Sequence, residues 1–332
     1  MKPAASYDID VAVIRGKSVE SIHRVSAAVV MGDELVGYAR NPEHETYWRS
    51  CAKPFQLMPF MASGGLDELG WSADETALAC ASHGGEPEHV AIAGRMLSDL
   101  DLEEGDLACG AAEPLSQRGQ RILRESGARP TRLHNNCSGK HAAMLARAQS
   151  AGWPTAGYHH LEHPVQQSIV GEITRWTGVN ASQISYAIDG CGVPVFGLSL
   201  EAMARAYARF ASAIQRGDEI PRRIGDAMLA NPFLVGGTDR FDTVVMEDAP
   251  GVLCKIGAEG VHSAAIIAAG IGIAIKVEDG ASRAQFPAMI AMLQHLGALP
   301  QELPQRLADI ARKPVRDTRH EVVGEIVVRA TM

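Results

Sequence analysis

The chain has 332 residues, 46% hydrophobic and 21% charged, with 31 Lys and Arg against 39 Asp and Glu for a net charge of −8. That composition excludes disorder and collagen, and the length suffices for a sizeable core without disulfide or metal staples. The acidic balance argues against a general nucleic-acid binder, which needs a basic face against phosphate. Residues 263–276, the most apolar run, fall short of the roughly 20 needed for a membrane span and contain Gly270 and Gly272. The N-terminus has Asp8 and Asp10 where the apolar core of a signal peptide would lie. A cytoplasmic protein without membrane contact is expected. Its six cysteines, unevenly spaced and without C-x-x-C, then read as thiols or ligands rather than bridges.

In chain order, residues 10–15 read as a short strand, and 21–31 and 34–39 as a hairpin around Met-Gly-Asp. A helix starts near Ser50; Pro54 suits its first turn, and Pro59 predicts a kink or an early end. Helices follow at 74–81 and 86–100, separated by the loop Ser82-His83-Gly84-Gly85. The turn 134–139 leads into a helix over 140–151, and another covers 164–176. Residues 186–200 look like a strand broken by Gly190, Gly192 and Pro194. Helices at 201–214 and 221–229 precede a hairpin of strands 252–267 and 271–277. Helices at 285–296 and 301–311 and a strand at 321–329 complete the chain. Strands at both ends around a helical middle are not βαβ alternation. The pattern fits an α+β fold: one domain over 1–332, with an antiparallel sheet built from both chain ends, helices on both faces and a helical central subregion.

The sharpest chemical signal is Ser50-Cys51-Ala52-Lys53. At i and i+3 of a helix a hydroxyl and an amine share a face, and a serine becomes a nucleophile once a base takes its proton. A neutral lysine is such a base. S-x-x-K is frequent by chance, so alone it reads as an ordinary helix start. Ser82 on a loop and Lys255-Ile256-Gly257 at a late strand follow in an order that resembles the serine β-lactamases and penicillin-binding proteins. Gly84 and Ile256 stand where those enzymes carry Asn and Thr or Ser, so the resemblance extends to Ser–Lys acyl transfer and not to β-lactam recognition.

Two Cys-containing clusters come next, Asn135-Asn136-Cys137-Ser138-Gly139-Lys140-His141 and Asp189-Gly190-Cys191-Gly192-Val193-Pro194. Cys137, Lys140 or His141, and Cys191 offer soft and borderline metal ligands. On spacing alone the stronger reading is packing cysteines and a helix-capping histidine. Arg49 is equally a carboxylate clamp or a structural ion-pair partner. Asp189 suits an ammonium group, or a supporting role toward Lys140 or another ligand. His159, His160 and His163 read as surface or cap residues, and Gly236–Arg240 as a tight turn with Arg240 structural. Cys51, Cys80, Cys109 and Cys254 read as packing cysteines.

Together, YWRSCAKPFQ, ASHGGEPEHV, NNCSGKHAAML, DGCGVPVFGLSL, GGTDRFDT and CKIGAEGVHSAAI resemble the Rhizobium-type, or class 3, L-asparaginases, in the same order from about Ser21 to Val277. The resemblance implies a serine β-lactamase-like fold, hydrolysis of L-asparagine to L-aspartate and ammonia, and a homodimer. It implies Ser50–Lys53 and Ser82–Lys255 as catalytic pairs and zinc on Cys137, Lys140 and Cys191, the metal assisting substrate binding. Arg49, His141 and Asp189 are then expected at the substrate. The competing readings are another β-lactamase-like serine hydrolase or a glutaminase, and a non-catalytic zinc-binding module on the same scaffold. Retention of Ser50, Lys53, Ser82 and Lys255 together argues against the last.

Overall fold

A computed structural model describes residues 3–329. They gather into two compact units. One holds the described residues up to 51, residues 198–212 and those from 244 onward; the other holds 52–197 and 213–243. The fold is mixed α/β with mainly antiparallel sheets, the class expected from the sequence.

The first unit carries two sheets. The six-stranded one runs Ala5–Ser6, Glu34–Ala39, Val25–Met31, Ile271–Val277, Val261–Ile266, Val252–Ile256, antiparallel except at its two-residue parallel edge. The four-stranded one runs Arg312–Arg316, Val322–Val328, Val11–Arg15, Ser18–His23. Both chain ends thus build sheet, but two sheets rather than one. The span 21–31, expected as a single strand, divides at Arg24 between them. Asp10 sets the division. Its buried carboxylate accepts the Val25 N–H at 2.9 Å and pairs with the Arg40 guanidinium, which anchors the chain where it leaves one sheet for the other.

The span 252–267 is also two strands, turned by residues 257–260, with Gly260 at φ +71°. The helix Leu200–Arg216 crosses the strand Ile271–Val277 so closely that a Cβ on Gly272 would stand 2.0 Å from the Ala204 carbonyl oxygen. The strand Arg312–Arg316 had no counterpart in the sequence reading. The last helix starts at Gln305, directly after Pro304, rather than at 301.

The second unit is mostly helical. Its centre is the helix Lys53–Ala62, whose first nine residues are all buried. Around it pack Ala73–Ala79, Ser138–Ser150, Pro164–Thr177 and Glu219–Ala230. An all-round apolar helix belongs inside a bundle, and that packing carries it through Pro59 to Ala62 instead of ending it. Pro164 opens its helix beneath a His163 side chain that accepts the Val165 N–H at 3.2 Å, so of the two readings, surface or cap, this histidine takes the cap. Ser185–Ile188 and Pro194–Ser199 pair antiparallel, so the expected broken strand is a hairpin. The helix Gln117–Glu125 was not anticipated. No helix among the described residues is long and apolar enough to cross a membrane.

Gly272→Ala should destabilise the protein by about 3 kcal/mol or more, because backbone atoms of the helix Leu200–Arg216 already occupy the space of the added methyl. Gly171→Ala, in open space within a helix, should instead stabilise by up to about 1 kcal/mol. Urea unfolding of the two variants beside the parent checks both signs.

Candidate active site

Arg49–Ala52 is a single 3-10 turn, followed in sequence by the helix starting at Lys53. Ser50 therefore lies in a tighter turn than the α-helix expected for it. Arg49 has φ +52°, a left-handed conformation that costs a non-glycine residue about 1–2 kcal/mol. Strain of this kind persists only where surroundings over-determine it, and here they do. The Trp48 indole donates to Ser263 Oγ at 3.1 Å, and Ser263 is the cross-strand partner of Lys255. Cys51 Sγ donates to the Lys255 carbonyl at 3.1 Å, and the Cys51 carbonyl accepts the Tyr207 hydroxyl at 2.8 Å. A Cβ on Gly257 would meet Cys51 Sγ at 3.0 Å and the Trp48 carbonyl at 3.3 Å, so glycine is what lets the turn lie on the strand. The segment carrying Ser50 is thus tied to the strand pair carrying Lys255, whose fully buried amine donates to the Ile256 carbonyl at 3.0 Å.

In the second unit, Lys53 has no exposed surface. Its amine donates to the Ala81 carbonyl, to Ser82 Oγ at 3.2 Å and to the Asn136 carbonyl at 3.2 Å. Three acceptors match the three N–H bonds of an ammonium. A neutral amine would keep the two carbonyls and turn its lone pair to the Ser82 hydroxyl. The contact therefore serves either charge state.

Ser82 sits where the chain runs straight after the helix Ala73–Ala79, with its N–H on the Val235 carbonyl at 3.0 Å. The loop beyond it is locked by groups the sequence reading passed over. Gly85 N–H donates to His83 Nδ1 at 3.1 Å, which leaves the ring proton on Nε2, 2.9 Å from Ser138 Oγ. Burial holds His83 well below its ordinary pKa, hence neutral. Glu86, fully buried, accepts Arg118 at 2.6 Å and both the N–H and the hydroxyl of Thr238 at 2.7 Å. That clamp fastens the expected tight turn at 236–240 over the Ser82 loop, with Gly237 at φ +112° and its would-be Cβ 3.1 Å from Gly84 Cα.

A few residues along, Asn135 shapes the next turn. Its Oδ1 accepts the Cys137 N–H at 3.0 Å and its amide holds the Gly110 carbonyl at 2.9 Å. Cys137 thereby heads the helix Ser138–Ser150, and Lys140 and His141 fall in the first turn. The hairpin turn 189–193 supplies Cys191. Lys140 Nζ donates to Cys191 Sγ at 3.1 Å, and the Asp189 carboxylate lies 3.5 Å from the same sulfur. The structure brings Cys137, Lys140 and Cys191 together as a buried group, and Asp189 to its edge.

The hydrogen bond between the two thiols splits their acidities. Cys191 is lowered to about 6 by the Cys137 thiol and the Lys140 charge, while Cys137 is raised to about 12. Burial pulls Lys140 down, but the two sulfurs outweigh it and hold its amine above the ordinary lysine range. Burial first, then the Lys140 charge, lowers His141 to about 3. Its Nδ1 lies 2.6 Å from the Tyr158 hydroxyl. Cys109 is a buried thiol raised to about 12, mainly by burial.

Thr238→Val should cost about 1.5–3 kcal/mol, the usual worth of a hydrogen bond to a charged group, and should loosen the Ser82 loop. Glu86 is held below its ordinary pKa, because Arg118 and Thr238 outweigh its burial. Its stabilisation is therefore complete above about pH 4.5 and fades as pH falls through the lowered value. The parent should lose stability over that window more steeply than Thr238→Val, which chemical denaturation at stepped pH measures.

The family model described as L-asparaginase II matches residues 11–328. No curated protein sequence matches the chain. Similar solved structures include Mglu in its native form, 14% identical with a TM-score of 0.46, over 82% of this chain and 65% of that one. The chain thus spans just under two thirds of the length of Mglu. Two others are a probable glutaminase from Bacillus subtilis complexed with 6-diazo-5-oxo-L-norleucine, at 13% identity, TM-score 0.37 and coverage of 83% and 85%, and a putative β-lactamase from Bacteroides dorei DSM 17855, at 10%, 0.40, and 87% and 94%. The family match takes in the Arg49–Lys53 turn, the Lys53–Ser82 contact and the Cys–Lys–Cys group, and reaches into both sheets: the chain belongs to the L-asparaginase II family.

Proposed function

We propose that the protein hydrolyses L-asparagine to L-aspartate and ammonia, with Ser50 as nucleophile. The observation that carries this reading is Lys53, a wholly buried amine on Ser82 Oγ and two carbonyls, set within a family of amidohydrolases. Ser50 Oγ bonds to the amide carbon as its proton passes to a neutral Lys53, one helical turn along. Backbone N–H groups, that of Ser50 among them, hold the oxyanion; one such donor is typically worth about 10²–10³ in rate. The C–N bond then breaks, and the nitrogen leaves as ammonia with a proton relayed through Ser82, Lys255 serving as the second amine of the relay. Water adds to the acyl ester, returns a proton along the same groups and restores Ser50. Arg49 takes a carboxylate of the substrate, Asp189 its α-ammonium, and His141 supports it.

The same reading puts zinc on Cys137, Lys140 and Cys191. The donor set fits. Two thiols and an amine meet in one buried group, and the more acidic sulfur faces the amine. Among the described residues no cluster of three His, Cys, Asp or Glu is arranged to hold a metal, so a zinc here depends on the lysine. Bound there, zinc supplies a positive charge for gripping substrate and shaping the pocket, while Ser50, Lys53, Ser82 and Lys255 do the chemistry. The homodimeric state and cytoplasmic location expected from the sequence go with this reading.

Ser50→Ala should retain the circular dichroism spectrum of the parent and lose about 10³-fold or more in L-asparagine turnover. Parent-like turnover removes Ser50 from the mechanism. Equal kcat/KM for L-glutamine would make the enzyme a glutaminase, and turnover of a chromogenic β-lactam would make it a broader serine hydrolase.

Metal analysis tests the second site. Cys137→Ala and Cys191→Ala should each purify with much less zinc than the parent, and chelation should raise KM more than it lowers kcat. Unchanged zinc in both variants rejects the ligand set.

A further inference from the structure

Tyr158 and His141 form a buried pair whose protons can be accounted for one by one. Tyr158 is 2% exposed and His141 not at all. The phenol oxygen accepts the Ala108 N–H at 2.8 Å and lies 2.6 Å from His141 Nδ1. A phenol keeps its proton at neutral pH and must place it on an acceptor when buried. Among the described residues the acceptor within reach is His141 Nδ1. That nitrogen is therefore the unprotonated one, and the proton of the neutral ring stands on Nε2. Nε2 is buried and has no hydrogen-bond partner among the described residues. A buried donor left without an acceptor costs about 1–3 kcal/mol, so this N–H is free to take an acceptor from outside the chain, a water or a ligand oxygen. The charges of Lys140 and Cys137 act on this ring, so the donor belongs to the surroundings of the Cys–Lys–Cys group.

We propose that Tyr158 is a positioning residue that holds His141 as the Nε2–H tautomer, so that Nε2–H donates to an oxygen of the amide substrate, carbonyl or carboxylate. The identity of that acceptor rests on the amidohydrolase reading; the tautomer does not. In this tautomer Nε2 has no lone pair to offer, so His141 stands outside the metal set, and the choice between Lys140 and His141 that spacing leaves open falls to Lys140.

The test is long-range ¹H–¹⁵N NMR on histidine-labelled protein, zinc-free and zinc-loaded, with L-aspartate and L-glutamate as probes. The parent should show a protonated Nε2 and a bare Nδ1 in both metal states, and the Nε2–H signal should shift when acid is added. Tyr158→Phe should mix the two tautomers and weaken binding of the acid about tenfold by calorimetry. His141→Gln, whose amide nitrogen reaches the place of Nε2, should bind better than His141→Asn, whose amide reaches only to Nδ1. A proton on Nδ1 in the parent, loss of the Nε2–H signal on adding zinc, no shift with either acid, or parent-like affinity in Tyr158→Phe each overturns the proposal. A shift with glutamate alone supports it and moves the substrate reading to glutamine.

Discussion

A lysine amine with no exposure to water must find every one of its partners inside the protein, since an unpaired buried charge costs several kcal/mol. Lys53 is such a residue, and much of the helical unit follows from how it is satisfied. It heads the central helix, where its stem continues the all-round apolar surface of that helix. Its three contacts then fix two other segments: the loop at Ala81–Ser82 and the turn at Asn136. The first sets the position of Ser82. The second sets the start of the helix that carries Lys140 and His141. One satisfied amine thus aligns Ser82 with the candidate metal group.

Those segments are irregular, and irregular backbone inside a protein needs its own hydrogen-bond partners. Side chains supply them. Asn135 closes the turn before Cys137, His83 bridges Gly85 to Ser138, and Glu86 joins the Ser82 loop to Thr238. Glu86 is a buried carboxylate that escapes the usual penalty because an arginine, a hydroxyl and an N–H all point at it. These groups need touch no substrate to matter. They hold the loops rigid enough for hydrogen-bond chemistry, which tolerates errors of only a few tenths of an ångström.

Two departures from ideal geometry lie beside the candidate site. Arg49 is left-handed without being glycine, and His141 keeps a buried donor without an acceptor. Each is a local cost the surroundings enforce, through Trp48 and Cys51 in one case and through Tyr158 in the other. Both flank residues given a chemical role in the proposed function, Ser50 and Lys140. Binding energy recovered at such points is a plain physical route to substrate recognition.

Much of this was legible in the sequence, and the reason is locality. Ser50 and Lys53 are one turn apart, Cys137 and Lys140 are three residues apart, and the apolar, turn and capping signals of most helices lie within a few neighbours. Family membership followed from six short motifs in order. The misread elements share a cause. Residues 21–31 and 252–267 keep an unbroken strand-like pattern across Arg24 and across residues 257–260, and periodicity alone cannot say that a strand changes sheet or doubles back. Asp10, Arg40 and Val25 decide the first case only once folding brings them together. The partners of Lys53, Glu86 and His141 were equally hidden. They lie 17 to 152 residues away in the chain. Sequence alone determined which chemical groups the protein owns and what family they belong to. Tertiary structure decided which atoms of those groups face one another, because a hydrogen bond depends on distances of about 3 Å that only packing sets.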